Sequence, residues 1–177
     1  MKEAPDERPD RHRVFFALWP DDATRAAISR ATRDAVRLSG GRPIAKERLH
    51  VTIAFLGELT AAGLDLARQV PPIAVGGFEL VLDALGIWPE SKILWLAPQA
   101  PPDALGELEA NLWDALAERG FRSEERTYRP HVTLARRARP VDAGVAPVRW
   151  VVQDLALVES FPDGRNVHYE VLERWPL

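Results

Sequence analysis

Apolar positions fall into short continuous runs and helical stripes, in an order that predicts alternating strands and helices. Val14-Phe15-Phe16-Ala17-Leu18-Trp19, stopped by Pro20, reads as a buried strand. Asp21 or Asp22 then caps a helix in which Ala23, Ala27, Ile28, Ala31, Ala35 and Leu38 recur at helical spacing, and Ser39-Gly40-Gly41 closes it. Residues 49–59 form the next expected strand, and a shorter helix follows Thr60 and stops before Pro71-Pro72. Residues 78–88 and 92–97 read as strands joined through Pro89-Glu90-Ser91 as a hairpin. Pro101-Pro102-Asp103 opens a helix whose stripe is Leu105, Leu108, Leu112, Leu116 and Trp113, with Gly120 as its stop. Strands over residues 131–135, 149–159 and 168–172 complete the pattern. Hairpins mixed with helical crossovers predict an α+β domain, with helices covering the outer faces of largely antiparallel sheets.

One feature breaks the monotony. His50-Val51-Thr52-Ile53-Ala54 returns as His131-Val132-Thr133-Leu134-Ala135, each copy at an expected strand. Alternation along an extended chain puts His50 and Thr52 on one face and Val51, Ile53 and Phe55 on the other. The second copy repeats this, with Val132 and Leu134 turned inward. Pro130 suits the first position of a strand. The chain holds four histidines, and two of them stand in this repeat. A lone strand histidine is usually structural; a matched pair points to shared chemistry.

Composition narrows that chemistry. The chain has 177 residues, 46% hydrophobic and 28% charged, which suits one globular domain. A net charge of -3 argues against holding long nucleic acid by bulk charge, but not against a local basic site. The absence of cysteine removes disulfides, thiolate nucleophiles and iron–sulfur ligands. No apolar run approaches the roughly 20 residues of a membrane span. Residues 1–12 are charged, contain proline and read as a solvated flexible tail rather than a signal peptide, with one domain over 13–177. A cytoplasmic monomer is the default expectation.

Near neutral pH one imidazole can accept a proton while another donates one. Displacement at phosphorus needs such a pair on opposite sides of the in-line geometry, and the threonine hydroxyls can hydrogen-bond the non-bridging oxygens. A strained cyclic phosphate fits a site of this kind without a metal. A metal centre would require a third ligand, and no Asp or Glu lies within either repeat. Neither a G-x-S-x-G elbow nor a G-x-G-x-x-G loop is present to support a serine hydrolase or a dinucleotide site.

A phosphate substrate also calls for an arginine fork. Arg119, Arg122, Arg126, Arg129, Arg136, Arg137 and Arg139 crowd around His131, most of them expected to be solvated. Arg129 has the parity of His131 but precedes Pro130. Arg136 has the parity of Leu134 and reaches the histidine face only if the strand bulges or ends near Ala135. Spacing alone leaves both open.

The two His-x-Thr motifs, the opening Arg13-Val14-Phe15-Phe16-Ala17-Leu18, the Phe55-Leu56-Gly57 that follows the first motif, and the closing Trp175-Pro176-Leu177 resemble the 2H phosphoesterases. Within that superfamily they resemble the RNA 2',3'-cyclic phosphodiesterases also known as 2'-5' RNA ligases. The resemblance covers nearly the whole chain from Arg13. It implies a bilobal fold of two largely antiparallel sheets, with pseudo-two-fold symmetry around a central cleft. It further implies opening of 2',3'-cyclic phosphates on RNA ends to 2'-phosphates, without a cofactor. His50 would then be the acid and His131 the base, with Thr52 and Thr133 on phosphate oxygens. Arg136 is the arginine that matches, and Phe16 matches an aromatic near the cleft, with base stacking or core packing as its role. Ligation of RNA ends, simple binding of such ends, and action on a small cyclic nucleotide are the rival readings.

Overall fold

The computed structural model describes residues 11–123, 127–163 and 166–177. Met1 to Asp10 and Arg126 therefore lie outside the described residues. Strand β1 (His12–Leu18) begins at His12, so the domain reaches into the expected tail by that residue.

Helix α1 (Asp22–Ser39) starts where the pattern places it. Asp21 is the cap, its carboxylate accepting from the Thr24 amide at 2.7 Å, and Gly40 ends the helix in the left-handed conformation that glycine adopts without strain. A two-residue strand β2 (Arg42–Pro43) and a 3-10 turn lead to β3 (Val51–Leu59), and Thr60 caps α2 (Ala61–Arg68). The expected strand over 78–88 is two strands, β4 (Phe78–Leu82) and β5 (Ala84–Trp88), which break at Asp83. Strand β6 (Ile93–Ala97), helix α3 (Asp103–Ala117) and β7 (Val132–Arg136) follow. The expected 149–159 strand likewise divides at Gln153 into β8 (Val148–Val152) and β9 (Asp154–Asp163), before β10 (Asn166–Pro176).

These breaks let one run of chain serve two sheets. Strands β4 and β8 form a separate pair, while the others build an eight-stranded sheet in the order β10-β9-β1-β3-β7-β6-β5, with β2 beside β7. The described pairings are antiparallel. The expectation of an α+β fold with two antiparallel sheets holds, one sheet having eight strands and the other two, and the larger sheet has two halves. They meet at a seam between β3 and β7, where Val51 pairs with Val132. Those are equivalent residues of the two motifs, so the seam carries a local two-fold relation.

One face of this sheet makes the core. Val14, Phe16, Leu18, Val51, Ile53, Val132 and Leu134 join Leu105, Leu108, Leu112 and Leu116 of α3 and Ile28 of α1 in one buried cluster. Each α3 leucine is fully buried, so truncation to alanine costs about 2–5 kcal/mol. A smaller cluster of Phe15, Ala17, Ala156 and Val158 lies on the opposite face.

Candidate active site

The seam sets the site geometry. Antiparallel register about Val51 and Val132 places His50 opposite Thr133 and Thr52 opposite His131. Because Val51 and Val132 are fully buried on the core face, their four neighbours stand together on the other face. Two histidines thus occupy one diagonal of a rectangle and two threonines the other.

Both imidazoles are held in the same way. His50 Nδ1 donates to the Arg48 carbonyl at 2.7 Å, and His131 Nδ1 donates to the Arg129 carbonyl at 2.7 Å. A carbonyl can only accept, so Nδ1 carries the hydrogen in each ring and Nε2 is left to exchange protons. The Thr52 hydroxyl lies 3.2 Å from His50 Nε2. Tyr128, from the segment before β7, donates to the Thr52 carbonyl at 3.2 Å and ties the two halves together across the seam.

Aromatic side chains enclose each ring. His50 stacks on Trp19 with centroids 5.5 Å apart, contacts Phe15 at 4.9 Å and meets the edge of Tyr169 at 5.5 Å. Trp88 meets His131 edge-on at 4.5 Å. Behind Trp19, the Arg25 guanidinium lies 5.3 Å from the indole ring. Burial lowers the His50 pKa from 6.5 to about 4; the Arg48 carbonyl opposes this, and the nearby charges of His131 and Arg25 reinforce it. Burial also lowers His131, opposed by the Arg129 carbonyl. Both rings are therefore neutral near pH 7.

That depression has a consequence for stability. Between pH 6.5 and about 4 the unfolded chain protonates His50 while the folded chain does not. Stability is therefore fully present above 6.5 and falls as the pH drops through this window, by about 3 kcal/mol for a shift of this size. Denaturant unfolding from pH 7 to pH 4 is expected to show this loss. Most of it should vanish in His50→Gln; an unchanged pH slope in that variant would count against a depressed His50.

A cleft of about 920 Å3 is lined by His50, Thr52, Thr133 and Arg136, and a hollow of about 570 Å3 lined by His131 adjoins it at Thr52 and Phe55. Arg136 gets there by a bulge. Along β7, Thr133 pairs with Trp95 and Ala135 with Leu94, so Leu134 is the extra residue. Parity flips after it, and Arg136, opposite Ile93, shares the face of Thr133. Gly41 sits against this end of β7: a Cβ on it would lie 2.9 Å from the Arg136 carbonyl oxygen. Arg129 lines the adjoining hollow and serves His131 through its backbone.

The first motif bulges at the equivalent place. Ala17 pairs with Thr52 and Phe16 with Ala54, which leaves Ile53 as the extra residue. Phe55, expected on the core face with Ile53, therefore turns to the cleft, opposite Phe15. Phe16 is a second correction. It is 0% exposed in the main core, 5.6 Å from the Trp175 ring, and cannot reach a ligand. Its neighbour Phe15 lines the cleft instead. Because β1 is apolar on both faces, periodicity could not tell the two apart. Among the described residues, no group of three or more His, Cys, Asp or Glu is placed to hold a metal ion. No helix among them is long and apolar enough to cross a membrane.

Comparison with known proteins gives the family and the fold. A sequence profile of the 2'-5' RNA ligase superfamily matches residues 20–162. An Escherichia coli protein named RNA 2',3'-cyclic phosphodiesterase is 34% identical, over 93% of this chain and 96% of its own length. A protein of the same name from Thermus thermophilus is 30% identical, over 93% of this chain and 90% of its own. The crystal structure of E. coli LigT in apo form superposes with a TM-score of 0.84 at 30% identity, covering 95% of this chain and 98% of that one. Matches of this extent place the chain in the 2'-5' RNA ligase superfamily, the family its two His-x-Thr motifs resemble.

Proposed function

We propose that this protein hydrolyses 2',3'-cyclic phosphate ends of RNA to 2'-phosphates, with two histidines and no metal. The observation that carries the reading is the rectangle of His50, Thr52, Thr133 and His131, with both Nδ1 atoms tied to carbonyls and both Nε2 atoms left for proton transfer, that of His50 beside the Thr52 hydroxyl. The names of the E. coli and T. thermophilus relatives support the same substrate class. E. coli LigT has also been crystallised with 3'-AMP and with phosphate.

In this mechanism His131 Nε2 takes a proton from water, whose oxygen forms the new bond to phosphorus. The P–O3' bond breaks, and His50 gives its proton to O3', leaving the phosphate on O2'. Thr52, Thr133 and Arg136 hold the non-bridging oxygens as charge builds on them. Because His50 is neutral near pH 7, its proton arrives together with the anion: the negative phosphate raises both imidazole pKa values as it binds. The assignment of His50 as acid and His131 as base follows the family resemblance.

Product analysis on a cyclic-ended oligonucleotide is the first test. A 2'-phosphate with unchanged rate in chelator is expected; a 3'-phosphate, or activity that disappears in chelator and returns with a divalent ion, would overturn the proposal. Predominant joining of RNA ends would replace it with the ligase direction. The pH profiles add a sharper check. The kcat/KM profile reports the free protein, so both limbs should lie below 6.5, while the kcat bell should sit at higher pH. Coincident bells would exclude proton uptake on binding.

A further inference from the structure

The cleft extends well beyond the rectangle. From Ala17, which lies opposite Thr52, the cleft face of β1 continues through Phe15 and Arg13 to Arg11. Each step of two residues covers about 7 Å, so Arg13 stands about 13 Å along the strand from the level of Thr52. A cyclic phosphate held by the two threonines and Arg136 does not reach that far.

The charges along this wall are unequally matched. Glu58 pairs with Arg11 at 3.8 Å, and Glu159 is taken by His12 at 2.7 Å. Arg13 is exposed and, among the described residues, makes no ion pair. Its guanidinium instead lies 5.1 Å from the centroid of Phe55, a ring 40% exposed on the cleft side because of the bulge at Ile53. A cation without an ion pair, lying over an open aromatic ring in a chain of net charge -3, marks a local site for a polyanion. Single-stranded RNA is bound by this combination: charge for the backbone phosphate and π-faces for the bases beside it.

We propose that Arg13, lying over Phe55, holds a phosphodiester upstream of the cyclic end, a subsite that favours oligomers over a cyclic mononucleotide. This rests on the activity proposed above. Nothing in the rectangle itself selects for chain length; the selection comes from the far end of the cleft.

The test compares 2',3'-cyclic AMP with a short oligoadenylate ending in a 2',3'-cyclic phosphate. The unaltered protein should favour the oligomer in kcat/KM by about tenfold or more, the scale of one charge-assisted contact. Arg13→Gln should remove about tenfold from the oligomer, leave the mononucleotide unchanged and reduce the salt slope for the oligomer by about one. Arg13→Lys should restore part of the loss. Equal turnover of the two substrates by the unaltered protein, or an equal fall on both in Arg13→Gln, would overturn the subsite. Hydrolysis of neither substrate would instead overturn the activity on which it rests.

Discussion

Alanine at either His50 or His131 is expected to lower kcat for opening a cyclic phosphate by about 100- to 10,000-fold, the span of a positioned acid or base. The argument rests on how little else changes. Each ring donates to the carbonyl two residues before it, and His50 Nε2 also meets the Thr52 hydroxyl, while the valine after each keeps its place in the core. Folding should survive, and the His50 variant should resist acid better than the parent. The two losses should not add. A base without its acid partner leaves the leaving oxygen unprotonated, so the double variant should be little worse than the poorer single one. Binding of the 2'-phosphate product should persist through Thr52, Thr133 and Arg136. A loss below tenfold in either single variant, measured by initial rates with saturating oligonucleotide, would break the pairing.

Arg136→Ala is expected to lower kcat/KM by about 100- to 1,000-fold, as for loss of one fixed donor to a developing oxyanion. Arg136→Lys should recover part of this, since it keeps the charge and loses the two-pronged geometry. Arg129→Ala is the informative control. That residue supports His131 with its carbonyl, which alanine retains, so the effect should stay within a few-fold. A larger loss at Arg129 than at Arg136 would mean that the phosphate lies in the hollow beside Trp88, not between the threonines.

Much of this was legible in the sequence, and the failures have physical reasons. Helix α1 announced its ends because its cap and its left-handed stop are local chemistry: one aspartate and one glycine. The histidine–threonine faces were legible because alternation over two residues survives any later irregularity. What followed was not. Strict alternation put Phe55 in the core and left Arg136 dependent on a bulge, since nothing in Ile53-Ala54 or Leu134-Ala135 marks an extra residue. Two consecutive small-to-medium apolar residues suit a bulge and a buried strand equally well. Phe15 and Phe16 could not be separated because both are buried, Phe16 in the main core and Phe15 in the smaller cluster on the cleft side. The breaks at Asp83 and Gln153 were missed for a different reason. Each is a single polar residue inside an apolar run, and its effect, passing the chain from one sheet to another, depends on a partner strand far away in sequence.

The doubled bulge gives the cleft a direction. In each half the face runs histidine, threonine, and then a third slot three residues on instead of two. The first two places are filled identically in both halves, so the seam presents the same groups from left and right. The third is filled by a ring in one half and a cation in the other. A symmetric cradle cannot distinguish the two ends of a nucleotide, whereas a cradle with Phe55 on one flank and Arg136 on the other can. Together with the unlike aromatic walls around the two histidines, this third slot is where the two halves of the cleft differ.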